Sequence, residues 1–64
     1  MAEPAPEGRL ERRKRERRLR IYATAVELFH TQWFERTTVS QIAEAADIVP
    51  ATFFNHFQSK RALL

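Results

Sequence analysis

The 64-residue sequence predicts an all-α fold of three helices, and three observations predict it. Apolar residues recur at helical spacing in three separate stretches: Ile21, Ala25, Leu28 and Phe29; Val39, Ile42, Ala43 and Ala46; Phe53 and Phe57. Isoleucine, valine and threonine are scattered rather than alternating, which argues against strands. Chain breakers are few, with one Gly and three Pro, and two of those Pro stand within the first six residues.

Residues 1–8, MAEPAPEG, hold two Pro, the Gly and two Glu with no periodicity, and read as disordered. Residues 9–20, RLERRKRERRLR, are helix-prone by composition. Glu11 with Arg15 and Glu16 with Arg20 are well-oriented i, i+4 pairs, yet the stretch has no apolar face. Ile21, Ala25, Leu28 and Phe29 fall within about 100° of arc on a 3.6-residue helix. Carried upstream, that stripe lands on Arg18, Arg17 and Lys14. The core-packed part of the first helix is therefore expected to begin near Leu19. Residues 9–18 project beyond it, either as a solvated helical extension or as a flexible arm. The helix is expected to end near Thr31 or Gln32, with Trp33 and Phe34 covering the end of the core.

Thr38 is a good N-cap for the second helix, and Gln41 three residues on completes a capping box. Asp47 breaks the helical pattern and Ile48 plugs the angle that follows. Pro50 suits the first turn of a third helix, where its missing N–H has no partner to lose. Phe53 and Phe57, four apart, give that helix its buried side. Ala43 is small where two helices cross closely. Two short helices joined by a tight turn form a helix-turn-helix. Ser59 is placed to cap a fourth helix, KRALL, of which about one turn is present.

The run T-T-V-x-x-I-A-E-A-A, followed six residues on by F-x-N-H-F-x-S-K-R-A-L-L, resembles the N-terminal DNA-binding domain of the TetR family of bacterial transcription regulators. The resemblance also takes in Ala25, Leu28, Phe29 and Phe34, and extends from near Arg20 to Leu64. It implies a homeodomain-like domain over residues 19–64; residues 1–18, read from composition, precede it as a basic arm, disordered or helical. It implies sequence-specific binding of duplex DNA, as the operator-reading part of a regulator that represses. Family members work as homodimers through a larger C-terminal domain that also holds the inducer pocket. That domain is not in this sequence, so the 64 residues are expected to be monomeric alone and to bind no small-molecule inducer. The family usually has Gly where this chain has Trp33 and Asp47, and a capping Ser or Glu where it has Val49. A bulky Trp33 in the left-handed region is costly, so another cap shape is expected there. Asp47 tolerates that region better than most residues.

With Phe53 and Phe57 inward, a 100° step puts Ala51 and Asn55 on the far side of the third helix, with Thr52 and Phe54 on its flanks. Small and short polar side chains suit a major groove. Asn bonds bidentately to adenine, and Ala or a Thr methyl packs against the thymine methyl. Pro50, Ala51, Thr52 and Asn55 are the expected base-facing set. The resemblance assigns phosphate contacts to Thr37, Thr38, Phe54, His56 and Lys60. At Phe54 the family usually has Tyr, so only van der Waals contact carries over.

Net charge is +3, and eight of the eleven basic residues lie between Arg9 and Arg20. Such a block points to a polyanionic partner. Arg9, Arg12, Arg13, Lys14, Arg15, Arg17 and Arg18 are read as a DNA-binding arm. A solvated charged helix, or an RNA-binding or acidic-membrane segment, is the alternative.

No enzyme is expected. The eight carboxylates are dispersed, and neither a phosphate loop nor a nucleophile elbow is present. No cysteine occurs, and His30 and His56 lie on different elements, so no metal site or other cofactor is expected. No apolar run approaches the ~18 residues of a membrane span. MAEPAPEG lacks a secretory pattern. A cytoplasmic, nucleoid-associated protein is the expectation.

Overall fold

The computed structural model describes residues 8–64. The expected disorder of residues 1–7 lies outside the described residues.

Helix α1 runs without interruption over Arg9–Gln32. Its entry is fixed at Gly8, whose N–H donates to the Glu11 carboxylate at 3.3 Å and whose carbonyl accepts from the Arg12 N–H at 3.0 Å. Every residue from 9 to 20 is exposed, and the first buried side chains are Ile21 and Ala25. Core packing thus starts two residues later than Leu19, which is 60% exposed. The basic stretch is helical. Twelve residues at 1.5 Å each carry it about 18 Å ahead of the core.

After α1 the chain turns through Trp33 into a 3-10 turn, Phe34–Arg36. Trp33 has φ 70° and ψ 149°, a positive-φ conformation that favours glycine. The cap is not the left-handed helical one, since ψ lies outside that well, and the other cap shape expected for a bulky residue is what is found, although φ is positive. Trp33 does not cover the core, for its side chain is 69% exposed. Phe34 does that work with Phe29, the two rings meeting edge-on at 5.0 Å. Such a conformation costs on the order of 1–3 kcal/mol. Trp33→Gly is therefore expected to raise stability by about 1 kcal/mol, since little packing is lost, and to lift Tm by about 4–8 °C for a domain of this size. A thermal melt by circular dichroism checks this; an unchanged or lower Tm would mean that the indole holds the turn.

Helix α2 spans Val39–Ala45 behind the capping box expected for it. The Gln41 N–H donates to Thr38 Oγ1 at 3.1 Å, and the Thr38 N–H donates to Gln41 Oε1 at 3.0 Å. Gln32 Nε2 donates to the same Gln41 oxygen at 2.7 Å, tying the end of α1 to the start of α2. The turn out of α2 places Asp47 at φ 61°, the left-handed region that Asp tolerates. The Ile48 N–H closes it onto the Ala43 carbonyl at 2.9 Å.

Helix α3 spans Pro50–His56 with Pro in its first turn and no side-chain cap from Val49. The chain then closes in a 3-10 turn, Lys60–Leu63, rather than in the first turn of an α-helix. Ser59 supplies no side-chain cap there; its carbonyl accepts from the Ala62 N–H at 3.2 Å.

Ile21 and Ala25 of α1, Ile42 and Ala46 of the α2 segment, Phe53 and Phe57 of the α3 segment and Leu63 form one core. Leu28, Phe29, Val39 and Ile48 pack around it, half-buried. Ala43 is buried to 1%, as a close crossing requires. The three helices and the absence of strands among the described residues make this the all-α helix-turn-helix domain expected.

Candidate nucleic-acid interface

The core dictates what α3 shows to the outside. Phe53 is fully buried and Phe57 nearly so, their rings 5.5 Å apart. The opposite side of the helix must face outward. Pro50, Ala51, Phe54 and Asn55 are exposed and Thr52 is half-buried. Ala51 and Asn55 thus lie on the outer surface of the helix, with Thr52 at its edge and Pro50 at the helix start. Phe54 is 53% exposed and leans edge-on against Phe53, ring centroids 5.3 Å apart. That contact fixes a large apolar side chain on the rim of the surface.

The two threonines before α2 divide. Thr38 is exposed. Its oxygen accepts from Gln41, and its hydroxyl proton remains as a donor toward an outside acceptor. Thr37 is only 1% exposed. Its hydroxyl donates to the Trp33 carbonyl at 2.7 Å and accepts from Gln32 Nε2 at 3.5 Å. The phosphate contact expected of the Thr37 side chain is therefore corrected: the hydroxyl is spent inside the α1–α2 connection.

Lys60 also turns inward. Nζ donates to the Phe34 carbonyl at 2.7 Å and lies 4.1 Å from the centroid of the Phe34 ring. It clamps the closing turn to the α1–α2 connection by a charge-assisted hydrogen bond and a cation–π contact. Two of its three N–H donors are left over, so a phosphate can be reached only by sharing the ammonium with this clamp.

His56, in the last turn of α3, is half-buried beside Phe57 with ring centroids 6.5 Å apart. Desolvation holds its pKa below the usual 6.5, helped by Arg17, Arg18 and Lys14 of α1. A depressed folded-state pKa means that the unfolded chain binds the proton more readily. The neutral ring therefore contributes stability above the unfolded pKa that is lost as pH falls through the folded one.

Those same arginines are what sequence reasoning missed. The arm was expected simply to project, but Arg18 lies over the Phe57 ring, its Cζ 5.5 Å from the centroid. The signal was available. Arg18, with Arg17 and Lys14, continues the core-facing stripe of α1, and Arg18 thereby meets the end of α3. Arg9, Arg12, Arg13 and Arg15 extend the charge further along the same helix.

Among the described residues no three His, Cys, Asp or Glu side chains are grouped to hold a metal ion. No described helix is long and apolar enough to cross a membrane.

The chain is similar to the HTH-type transcriptional regulator TcmR of Streptomyces glaucescens, 47% identical over 57 residues, which is 89% of this chain and 25% of that protein. It is similar to an uncharacterized HTH-type transcriptional regulator, YerO, of Bacillus subtilis (strain 168), 41% identical over 49 residues, 77% of this chain and 17% of that one. The chain thus spans a quarter or less of the length of these relatives. No solved structure matches it. The family model for bacterial regulatory proteins of the tetR family matches residues 21–64, a stretch that holds the helix-turn-helix described above and more than half of the sequence: the chain belongs to the TetR family of transcriptional regulators.

Proposed function

We propose that this chain reads an operator in duplex DNA and that the protein it belongs to is a repressor, not an enzyme. The outer surface of α3 carries the proposal. A core that buries Phe53 and Phe57 leaves Ala51 and Asn55 outward with Pro50 and Thr52, a set small enough to enter a major groove. Thr38, Phe54 and His56 flank that surface as phosphate contacts, with Lys60 in a shared role. Residues 9–18 act as a helical arm along the phosphates, and residues 19–64 as the reading domain. Homodimer formation and inducer binding belong to sequence outside these 64 residues, and the site of action is the cytoplasm.

The test is competition. A labelled duplex enriched from a random pool is bound by the chain and challenged with unlabelled duplex of the same sequence or with an RNA hairpin of equal length. The duplex is expected to compete at least tenfold better. Equal or better competition by the hairpin would move the function to the arginine-rich helix and leave α3 a scaffold.

A further inference from the structure

The α1–α2 connection carries a strained and exposed indole beside two of the proposed phosphate contacts. Trp33 holds φ 70° and ψ 149°, a combination that glycine adopts freely and a bulky residue does not. Its side chain is 69% exposed, while the neighbouring Phe34 ring packs with Phe29 and Lys60. The Trp33 carbonyl accepts from the Thr37 hydroxyl at 2.7 Å and from the Arg36 N–H at 3.3 Å, which folds the residue back beside the start of α2. The next carbonyl, of Phe34, accepts from Lys60 Nζ at 2.7 Å. Trp33 is thus tied within one residue of each contact, through Thr37 to the exposed Thr38 and through Phe34 to Lys60. Glu35 and Arg36 of the same turn are both exposed and opposite in charge, so they give it no net repulsion for a polyanion.

Resting on the duplex-DNA reading above, we propose that Trp33 is a further DNA contact. Its indole lies on the sugar–phosphate backbone next to the phosphates met by Thr38 and Lys60, the ring on a deoxyribose and Nε1–H donating to a phosphate oxygen. A flat apolar body with one N–H fits a surface that is apolar on one side and polar at its edge, and a deoxyribose with its phosphate offers both. Backbone contacts carry no sequence information directly, so Trp33 adds affinity and register rather than base preference. The conformation of Trp33 weakens the free fold, whereas its contact strengthens the complex. Those opposite signs separate a binding role from a structural one. A side chain that only held the turn would, on removal, lower stability and affinity together.

Trp33 is the one tryptophan of the chain, so its emission, excited at the red edge of absorption, reports on this residue alone. The unsubstituted chain is titrated with a duplex of mixed sequence, and saturation is followed separately by anisotropy of a fluorescein-labelled copy. About half of the acrylamide quenching of the indole is expected to be lost at saturation, since one face of the ring is covered. Trp33→Gly is expected to bind about threefold to tenfold more weakly, the range of one aromatic contact, while melting no lower than the unsubstituted chain. Its salt slope is expected to stay the same, because a neutral side chain releases no counterion. Trp33→Phe, which keeps a ring and loses the N–H, is expected to fall between the two in affinity. Quenching unmoved by saturating duplex overturns the proposal and leaves the indole to a protein partner. Unchanged affinity in Trp33→Gly overturns it as well, and so does a loss of affinity that both variants match with a loss of Tm. Failure of the unsubstituted chain to bind the duplex would overturn the DNA-binding reading and this contact with it.

Discussion

Phe53→Ala is expected to leave the chain largely unfolded. Phe53 is fully buried and belongs to the core built by all three helices. It meets Phe57 at 5.5 Å and Phe54 at 5.3 Å, so truncation strips support from two further rings. Removing a buried aromatic costs about 3–5 kcal/mol. A core of this size supplies about 3–5 kcal/mol in total. The two quantities are equal within their spread, so nothing remains to hold the fold. Circular dichroism of the variant should show helix loss and no cooperative melt at 25 °C. A native-like transition would mean that Ile21, Ile42 and Leu63 close the core without the ring.

Neutralising the arm is expected to produce the largest change in DNA affinity. Replacing Arg9, Arg12, Arg13, Lys14, Arg15 and Arg17 by Gln keeps a good helix former at each position. Arg18 is left in place because its guanidinium covers Phe57. Each phosphate neutralised contributes about 0.9 to the slope of log affinity against log salt, so six cations account for up to about 5. Affinity near 0.1 M salt should fall by on the order of a hundredfold to a thousandfold, alike for every duplex sequence. A variant that keeps its salt slope would show that the exposed helix is only a solvated face.

The core and the surface differed in how far they could be read in advance. Ile42, Ala43, Ala46, Phe53 and Phe57 announce their burial through spacing alone, and the Thr38–Gln41 capping box follows from two residue types three apart. Asn55 and Ala51 could be placed outward because a helix with two inward Phe four apart leaves only one other side. What escaped depends on contacts between distant segments. Lys60 reaches Phe34 across 26 positions of sequence and shares its ammonium with that carbonyl, and Thr37 spends its hydroxyl on the Trp33 carbonyl. A threonine at a helix start looks the same in sequence whether its hydroxyl points in or out. Trp33 also escaped in one respect: its cap is not left-handed helical, as expected, but its indole is exposed instead of covering the end of the core. The arginines were recognised as charge but not as neighbours of α3. Continuing the apolar stripe of α1 upstream marked their positions, and only the packed helices showed that Arg18 lies on Phe57.

Whether α3 reads bases is tested most directly by selecting bound duplexes from a random pool, with the unsubstituted chain, the arm variant and Asn55→Ala treated in parallel. Asn55 is exposed on the surface opposite the buried rings, and one bidentate base contact carries about 1–3 kcal/mol of discrimination at one base pair. The unsubstituted chain should enrich a motif containing an A·T pair. The arm variant should enrich the same motif with weaker binding, and Asn55→Ala should lose preference at a single position with its salt slope unchanged. A motif that survives Asn55→Ala intact while changing in the arm variant would contradict the assignment of base reading to α3.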